Sequence, residues 1–226
     1  MKTLGLIMIL VFSVACSSKR KVKDVDNSKT IAKDYEVRDA SSTTRPGWIE
    51  DPEVWADQEN MDVKKYRYFS FETEPKVNRE IACNLAKANT RADIASEITT
   101  FIQKSLATST EGQMAIDMNN PRTQPVRDYV SNTLAERVQS LIHGAAVIKT
   151  YWEKRNYMKK MGSKKDFIGF TCASLVRMED ERLKAAIDKA SEEIVNKASD
   201  KEVKDNVKKA LENLDEDFVK ARQGEV

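Results

Sequence analysis

The chain has 226 residues, 33% charged and 40% hydrophobic, with 38 Lys+Arg against 36 Asp+Glu and a formal net charge of +2. That balance excludes a broad basic face for nucleic acid, and the length suits one modest domain with accessory pieces. The one histidine and three cysteines show no spacing that suits zinc.

The first segment organises the rest. Met1-Lys2 gives a positive start, Leu4 to Ala15 is an almost unbroken apolar run, and Cys16 follows at once. Ser17, Ser18 and a basic patch of Lys19, Arg20, Lys21 and Lys23 come next. The apolar run is about a dozen residues, short of the ~20 needed to span a bilayer. It reads as a bacterial secretory signal over residues 1–15, outside the fold. Small residues followed by Cys make Cys16 the expected lipid-attachment site, acylated (palmitate among the chains) once cleavage has left it first. One acyl chain holds a protein at a membrane only marginally, whereas two or three, at ~0.8 kcal/mol per buried CH₂, hold it firmly. Ser13 stands where lipoprotein signals usually carry Leu, and Ser13-x-Ala15 also suits a soluble exported protein. Ser17 rather than Asp after the Cys favours the outer membrane.

Residues 16–45 are polar and patternless and read as a lipidated Cys on a disordered tether. The segment Arg45-Pro46-Gly47-Trp48-Ile49 and Asp51-Pro52-Glu53-Val54-Trp55 then sets two indoles beside two prolines. Its expected role is to cap one edge of the core; exposed indoles would instead mark a partner or membrane contact. Lys64 to Thr73 is aromatic and partly alternating, a strand. From Lys76 to Leu106 a long helix is predicted, with a stripe of Ile81, Leu85, Ala88, Ala92, Ala95 and Ile102 widened by Ile94, Ile98 and Phe101. Its small alanines would let it lie close on a sheet, with Arg79, Lys87, Arg91 and Lys104 on the other side.

Thr108 to Pro125 reads as a loop. Thr133-x-x-Glu136 suggests a capping box for a helix within 130–141, ended by Gly144. Ala145 to Glu153 and Phe167 to Met178 are β-branched or apolar and read as the strands of a hairpin. Its turn carries Lys159, Lys160, Lys164 and Lys165, a solvated loop rather than a polyanion site. Glu179-Asp180-Glu181 starts a helix with its buried stripe at Leu183, Ala186, Ile187, Ala190 and Ile194. Ser199-x-x-Glu202 suggests a second capping box, for a last amphipathic helix through Val203, Val207, Leu211, Leu214 and Phe218.

The expectation is an α+β fold: a small, mainly antiparallel sheet covered on one face by the long Ala-rich helix and a second helix, with an extra C-terminal amphipathic helix. The boundaries read 1–15 signal, 16–45 tether, 46–199 domain and 200–226 extension. The terminal helix either serves self-association or folds back on its own domain. Cys83 and Cys172 both sit in apolar-patterned segments; they either pair as a disulfide or are small buried hydrophobes, and geometry decides.

Several features resemble the twenty-kilodalton bacterial outer-membrane lipoprotein family, which includes a lipoprotein of the flagellar basal disc. They are the signal with Cys16, the Arg45-Pro46-x-Trp48 segment, the aromatic strand leading into AKANTRADIASEI, the V-I-K-T-Y-W strand, and an apolar strand running into an acidic helix start. The likeness spans about residues 45–198. Phe69-Ser70-Phe71 departs from it where members often place Gly, as does the added 201–226 helix. It implies a structural or surface role, sometimes self-assembling, and brings no catalytic residues.

The residues themselves argue against an enzyme. His143, beside Gly144, reads as a surface or capping residue rather than a base. No glycine-rich loop follows a strand to hold phosphate, and the carboxylates fall on helix faces beside Lys and Arg. Neither Cys83 nor Cys172 has a recognisable base other than His143. No catalytic residue, cofactor or metal ligand is therefore expected. The reading is a non-catalytic, lipid-anchored cell-envelope protein of the outer membrane, with lipid as its first partner and an envelope protein or a homo-oligomer as its second. The rivals are a soluble exported periplasmic binding protein and a ring-forming subunit of a flagellum-associated structure.

Overall fold

The computed structural model describes residues 25–26 and 33–223. The signal 1–15, Cys16 and half of the 16–45 stretch lie outside the described residues. The fold is α+β, as its strand and helix patterns imply. The main sheet is wholly antiparallel and has four strands: β2 (Tyr35–Ala40), β5 (Ala146–Tyr157), β6 (Phe167–Glu179) and β4 (Tyr66–Glu72), in that spatial order. A small accessory pair joins β1 (Val25–Asp26) to β3 (Thr44–Arg45).

β2 lies within the stretch expected to be tether, so the ordered fold starts earlier than residue 46. Its sequence, YEVRDA, buries little, because as an edge strand it packs on one face and exposes the other. Tyr35 meets the ring of Tyr157 at 5.1 Å, and this aromatic pairing outweighs the polar composition that suggested disorder.

The long helix is α2 (Arg79–Thr108), begun by the Asn78 side chain, which accepts from the Ile81 amide at 2.8 Å. Its buried row is Ala82, Ala86, Thr90, Ile94, Ile98, Ile102 and Leu106, with Ala95 and Thr99 beside it. The expected stripe is thus rotated: Ile81 is 43% exposed, and Ala88 and Ala92 face solvent. Thr90 conceals the true row, because a polar residue interrupts it in sequence. The buried hydroxyl is satisfied in the fold, donating to the Ala86 carbonyl at 2.7 Å and touching the Ser174 hydroxyl. Ala82 and Ala86 let the helix settle on β6 at Cys172.

Beyond α2 the expected loop contains α3 (Thr110–Ala115), and the next helix is two, α4 (Gln124–Asn132) and α5 (Leu134–Leu141). Thr133 makes no capping hydrogen bond. α6 (Asp180–Lys197) follows β6 directly, and the last helix is again two, α7 (Lys201–Ala210) and α8 (Leu214–Gln223). Asp200, not Ser199, caps α7, accepting from the Glu202 and Val203 amides. Asn213, at φ 58°, turns the chain between α7 and α8.

Helices fill one face of the sheet. Phe69, Val176 and Met178 from the strands meet the buried rows of α2, α4, α5 and α6 there, together with Val203, Val207, Leu211, Leu214 and Phe218. The terminal stripe is therefore spent on its own domain. The opposite face is closed by the tryptophan segment, a 3₁₀ turn (Gly47–Ile49) and α1 (Pro52–Gln58), packing Trp48, Trp55 and Ala56 on Tyr68, Tyr151, Ala173 and Leu175. The indoles are buried, so they pack as core rather than as an exposed contact surface.

Candidate functional site

The two described cysteines pair. Cys83 on α2 and Cys172 on β6 form a disulfide across the helix–sheet contact, with Cα atoms 4.9 Å apart. Small neighbours make that approach feasible, since Ala82 and Ala86 are fully buried against the same strand. The bond closes a loop between residues 89 apart. His143 sits exposed in the loop between α5 and β5, and the four lysines of the hairpin turn are exposed as expected. Among the described residues no group of three His, Cys, Asp or Glu side chains could hold a metal ion. Among them, too, no helix is long and apolar enough to cross a membrane.

Two charged constellations absent from the sequence reading emerge. The first lies on the tryptophan side of the sheet. Arg45 donates from both terminal nitrogens to the two oxygens of Glu72, each at 2.8 Å, and also reaches Glu50 at 3.1 Å. Arg155 donates to Glu72 at 2.7 Å and to Glu153 at 2.6 Å, and the Tyr151 hydroxyl donates to Glu153 at 2.8 Å. The Arg155 guanidinium also stacks 4.5 Å from the Tyr35 ring centre. Two arginines and two glutamates thus balance charge in a mostly water-free layer, which burial demands. Burial opposes ionisation of Glu72, but the Arg45 hydrogen bonds and the Arg155 charge win and hold its carboxyl below the usual range. Burial likewise opposes the charge on Arg45, and Glu72 overcomes it and raises its pKa. The cluster fastens the Arg45-Pro46-x-Trp48 segment to β4 and β5.

The second is a cleft of about 1120 Å³ between α1, α2 and α8. Six carboxylates line it (Glu50, Asp51, Glu53, Asp57, Asp93 and Glu97) against Arg67, Lys104 and Arg222, over apolar Phe101, Phe218, Val54 and Val63. Two of its lining side chains, Glu53 and Arg222, reach the outer edge of β4. There the Tyr68 amide donates to Glu53 at 3.1 Å, and Arg222 donates to the Tyr68 carbonyl at 3.1 Å. Arg222 also grips both oxygens of Glu97, at 2.5 and 2.6 Å, and lies 4.2 Å from the Phe69 ring centre. Burial is the main cause of a raised Glu53 carboxyl pKa; the Tyr68 amide and Arg222 offset part of it. Arg67, almost fully buried, donates to the Val63 carbonyl and stands 3.4 Å from Asp180. The deep charges therefore hold backbone in place, and the shallower carboxylates give the mouth a negative field.

Some of this was within reach of the sequence. Glu153 and Arg155 share one face of β5 by alternation, but the strand expected from the sequence ends at Glu153, so Arg155 joins it only because β5 runs on to Tyr157. Glu53 and Arg222 meet only in the folded chain, and no local pattern announces them. No family model matches the chain, and neither the curated proteins nor the solved structures contain a match to it.

Proposed function

We propose that the protein is a non-catalytic lipoprotein of the bacterial cell envelope, anchored to the outer membrane through acyl chains on Cys16, whose folded body binds or assembles. The observation that carries this reading is the Cys83–Cys172 disulfide. Disulfides persist in oxidising compartments, so the bond supports export, which is also what the 1–15 segment encodes. With those two paired, Cys16 is the one thiol of the three that remains for acylation. The resemblance to the twenty-kilodalton outer-membrane lipoproteins points the same way. The deep charged side chains hold strand edges and segments together, which suits a scaffold better than turnover.

Intact-mass measurement of the mature protein purified from membranes tests this directly. The expected species begins at Cys16 and carries the added mass of a diacylglyceryl group and a further acyl chain. A Cys16→Ser variant should leave the membrane fraction. An unacylated mature protein in the soluble periplasmic fraction would instead establish the soluble binding protein and overturn the proposal.

A further inference from the structure

We infer that the free end of the β5–β6 hairpin is a lipid contact, a tip that rests on an anionic headgroup surface. The fold leaves this end uncovered. α2 lies on β6 only from Cys172 onward, where Cys83 bonds to Cys172 and the Ser174 hydroxyl meets Ala86 and Thr90. The last rungs of the hairpin come before that point: Lys154 opposite Phe170, Asn156 opposite Ile168, and Tyr157 opposite Phe167. Phe170 and Ile168 alternate onto the face that carries Cys172, yet they run past the helix that covers it, and Ile168 is 55% exposed. The Lys76–Phe170 bridge brings the start of α2 to the same end. Four of the six large hydrophobic side chains exposed among the described residues therefore gather here: Val77 and Ile81 about the start of α2, Met161 in the turn, and Ile168 on β6.

Charge complements that apolar end. Between Lys154 and Ile168 the hairpin holds Lys154, Lys159, Lys160, Lys164 and Lys165 against one aspartate, Asp166, while Arg155 is spent on Glu72 and Glu153. The four lysines of the turn are exposed and enter no ion pair among the described residues. The nearby carboxylates are engaged or offset: Asp166 accepts from the Lys159 amide at 2.6 Å, Glu36 pairs with Arg38 at 3.0 Å, and Glu74 and Glu80 stand beside Lys76 and Arg79. Read from sequence alone the lysines are a solvated loop; the fold sets beside them uncovered apolar groups, which a solvated loop lacks. Arg79 lies 4.9 Å from the Trp152 ring centre and Lys154 5.8 Å from that of Phe170, so the half-buried rings carry cations at their rim, as suits a headgroup interface. Lysine is depleted at protein–protein interfaces, and arginine is the usual choice for gripping a discrete phosphate; a set of free lysines suits a diffuse field of headgroups. The contact goes beyond the acyl anchor and does not require it. It is weak and reversed by salt, so a chain without acyl groups still washes from membranes.

The test is vesicle co-sedimentation of the full mature chain carrying Cys16→Ser, so that no acyl anchor contributes and failure here leaves the intact-mass test of the anchor untouched. The chain should bind phosphatidylglycerol vesicles at low salt, bind phosphatidylcholine vesicles far less, and lose binding severalfold at 1 M salt, where the Debye length is about 3 Å. A lysine at an anionic surface is worth about fivefold in partition, so adding Lys159→Ser/Lys160→Ser/Lys164→Ser/Lys165→Ser should lower it at least about tenfold, with Tm unchanged. Ile168→Ser should lower it severalfold. Adding Met161→Cys instead leaves one free thiol, and a polarity-sensitive dye there should shift to the blue on phosphatidylglycerol vesicles, while the same dye in a Glu212→Cys chain should not. Tip variants that bind like their parent would hand the contact to Lys19, Arg20, Lys21 and Lys23 and overturn the inference. An equal loss from Lys201→Ser/Lys204→Ser/Lys208→Ser/Lys209→Ser on α7, or a dye at 161 that stays in water while the chain binds, would overturn it as well. Tip-dependent binding to polyglutamate with none to vesicles would assign the tip to an acidic protein and overturn it too.

Discussion

Glu72 is the residue whose removal should cost the most for its size. Its carboxylate accepts three hydrogen bonds from two arginines, with side chains only 16% and 10% exposed for Arg45 and Arg155. Glu72→Gln keeps the shape and deletes the charge, leaving Arg155 with Glu153 as its one carboxylate and Arg45 with the exposed Glu50. Removing one partner of a buried pair costs about 3–5 kcal/mol. Glu72 is itself 23% exposed, so water compensates in part and the lower end applies: about 3 kcal/mol. For a domain of this size that is a fall in Tm of roughly 6–12 °C, read by calorimetry at pH 7. A pH series adds a second check. The folded state holds Glu72 below its ordinary value of 4.5, so its stabilisation is present above that value and is lost as pH falls through the folded pKa. The gap between wild type and variant should therefore shrink as pH drops below about 4.5. A loss under about 1 kcal/mol at pH 7, or a gap that persists unchanged into acid, would refute the assignment of Glu72 as the electrostatic hub.

Other expectations follow from single observations. Replacing Cys83 and Cys172 together by Ser opens a loop spanning 89 positions and should cost about 4–5 kcal/mol by denaturant titration, with the same loss in wild type under reductant. Gly112, buried inside α3, packs against the last turn of α2, and a Cβ there would lie 2.2 Å from the Leu106 carbonyl oxygen, so Gly112→Ala should cost at least about 1–3 kcal/mol in thermal melts. Arg222→Met keeps a stem over Phe69 but frees Glu97 and the Tyr68 carbonyl; about 1–3 kcal/mol should be lost, and amide exchange should rise first along β4.

The strands β4, β5 and β6 were legible because aromatic and β-branched runs have few other uses. α2 was legible in existence and length but not in facing. Reading hydrophobicity alone passed over Thr90, whose hydroxyl finds its partners only once Ser174 lies across from it. β2 was lost because half of an edge strand is solvated, so YEVRDA has the composition of a linker. The terminal segment has the pattern of one helix because Val207, Leu211, Leu214 and Phe218 keep step across Asn213, whose positive φ carries the turn. The charged layer and the cleft draw on residues as far apart as Arg45 and Arg155, or Glu53 and Arg222, and only topology unites them.

The edges of the sheet bear on how this body could assemble. An exposed edge strand invites pairing with another chain unless something blocks it. On β4, the outward amide and carbonyl of Tyr68 are both taken, by Glu53 and Arg222, which themselves stand 3.8 Å apart, and Ser70 donates to the Ile49 carbonyl beside them. On β2, register slips between Val37 and Asp39, and Glu36 and Arg38 pair with each other at 3.0 Å on the exposed side. One edge is thus covered by side chains of opposite charge and the other is bulged and charged, two separate devices against strand addition. The apolar stripe of the last two helices is likewise spent, because Val203, Val207, Leu211, Leu214 and Phe218 all lie in the main core. Growth by edge pairing or by an unmet terminal helix would require the fold to open first. A ring-forming subunit built on this body would therefore have to join through its helical or loop surfaces, and deleting α8 should destabilise the monomer rather than release an assembly interface.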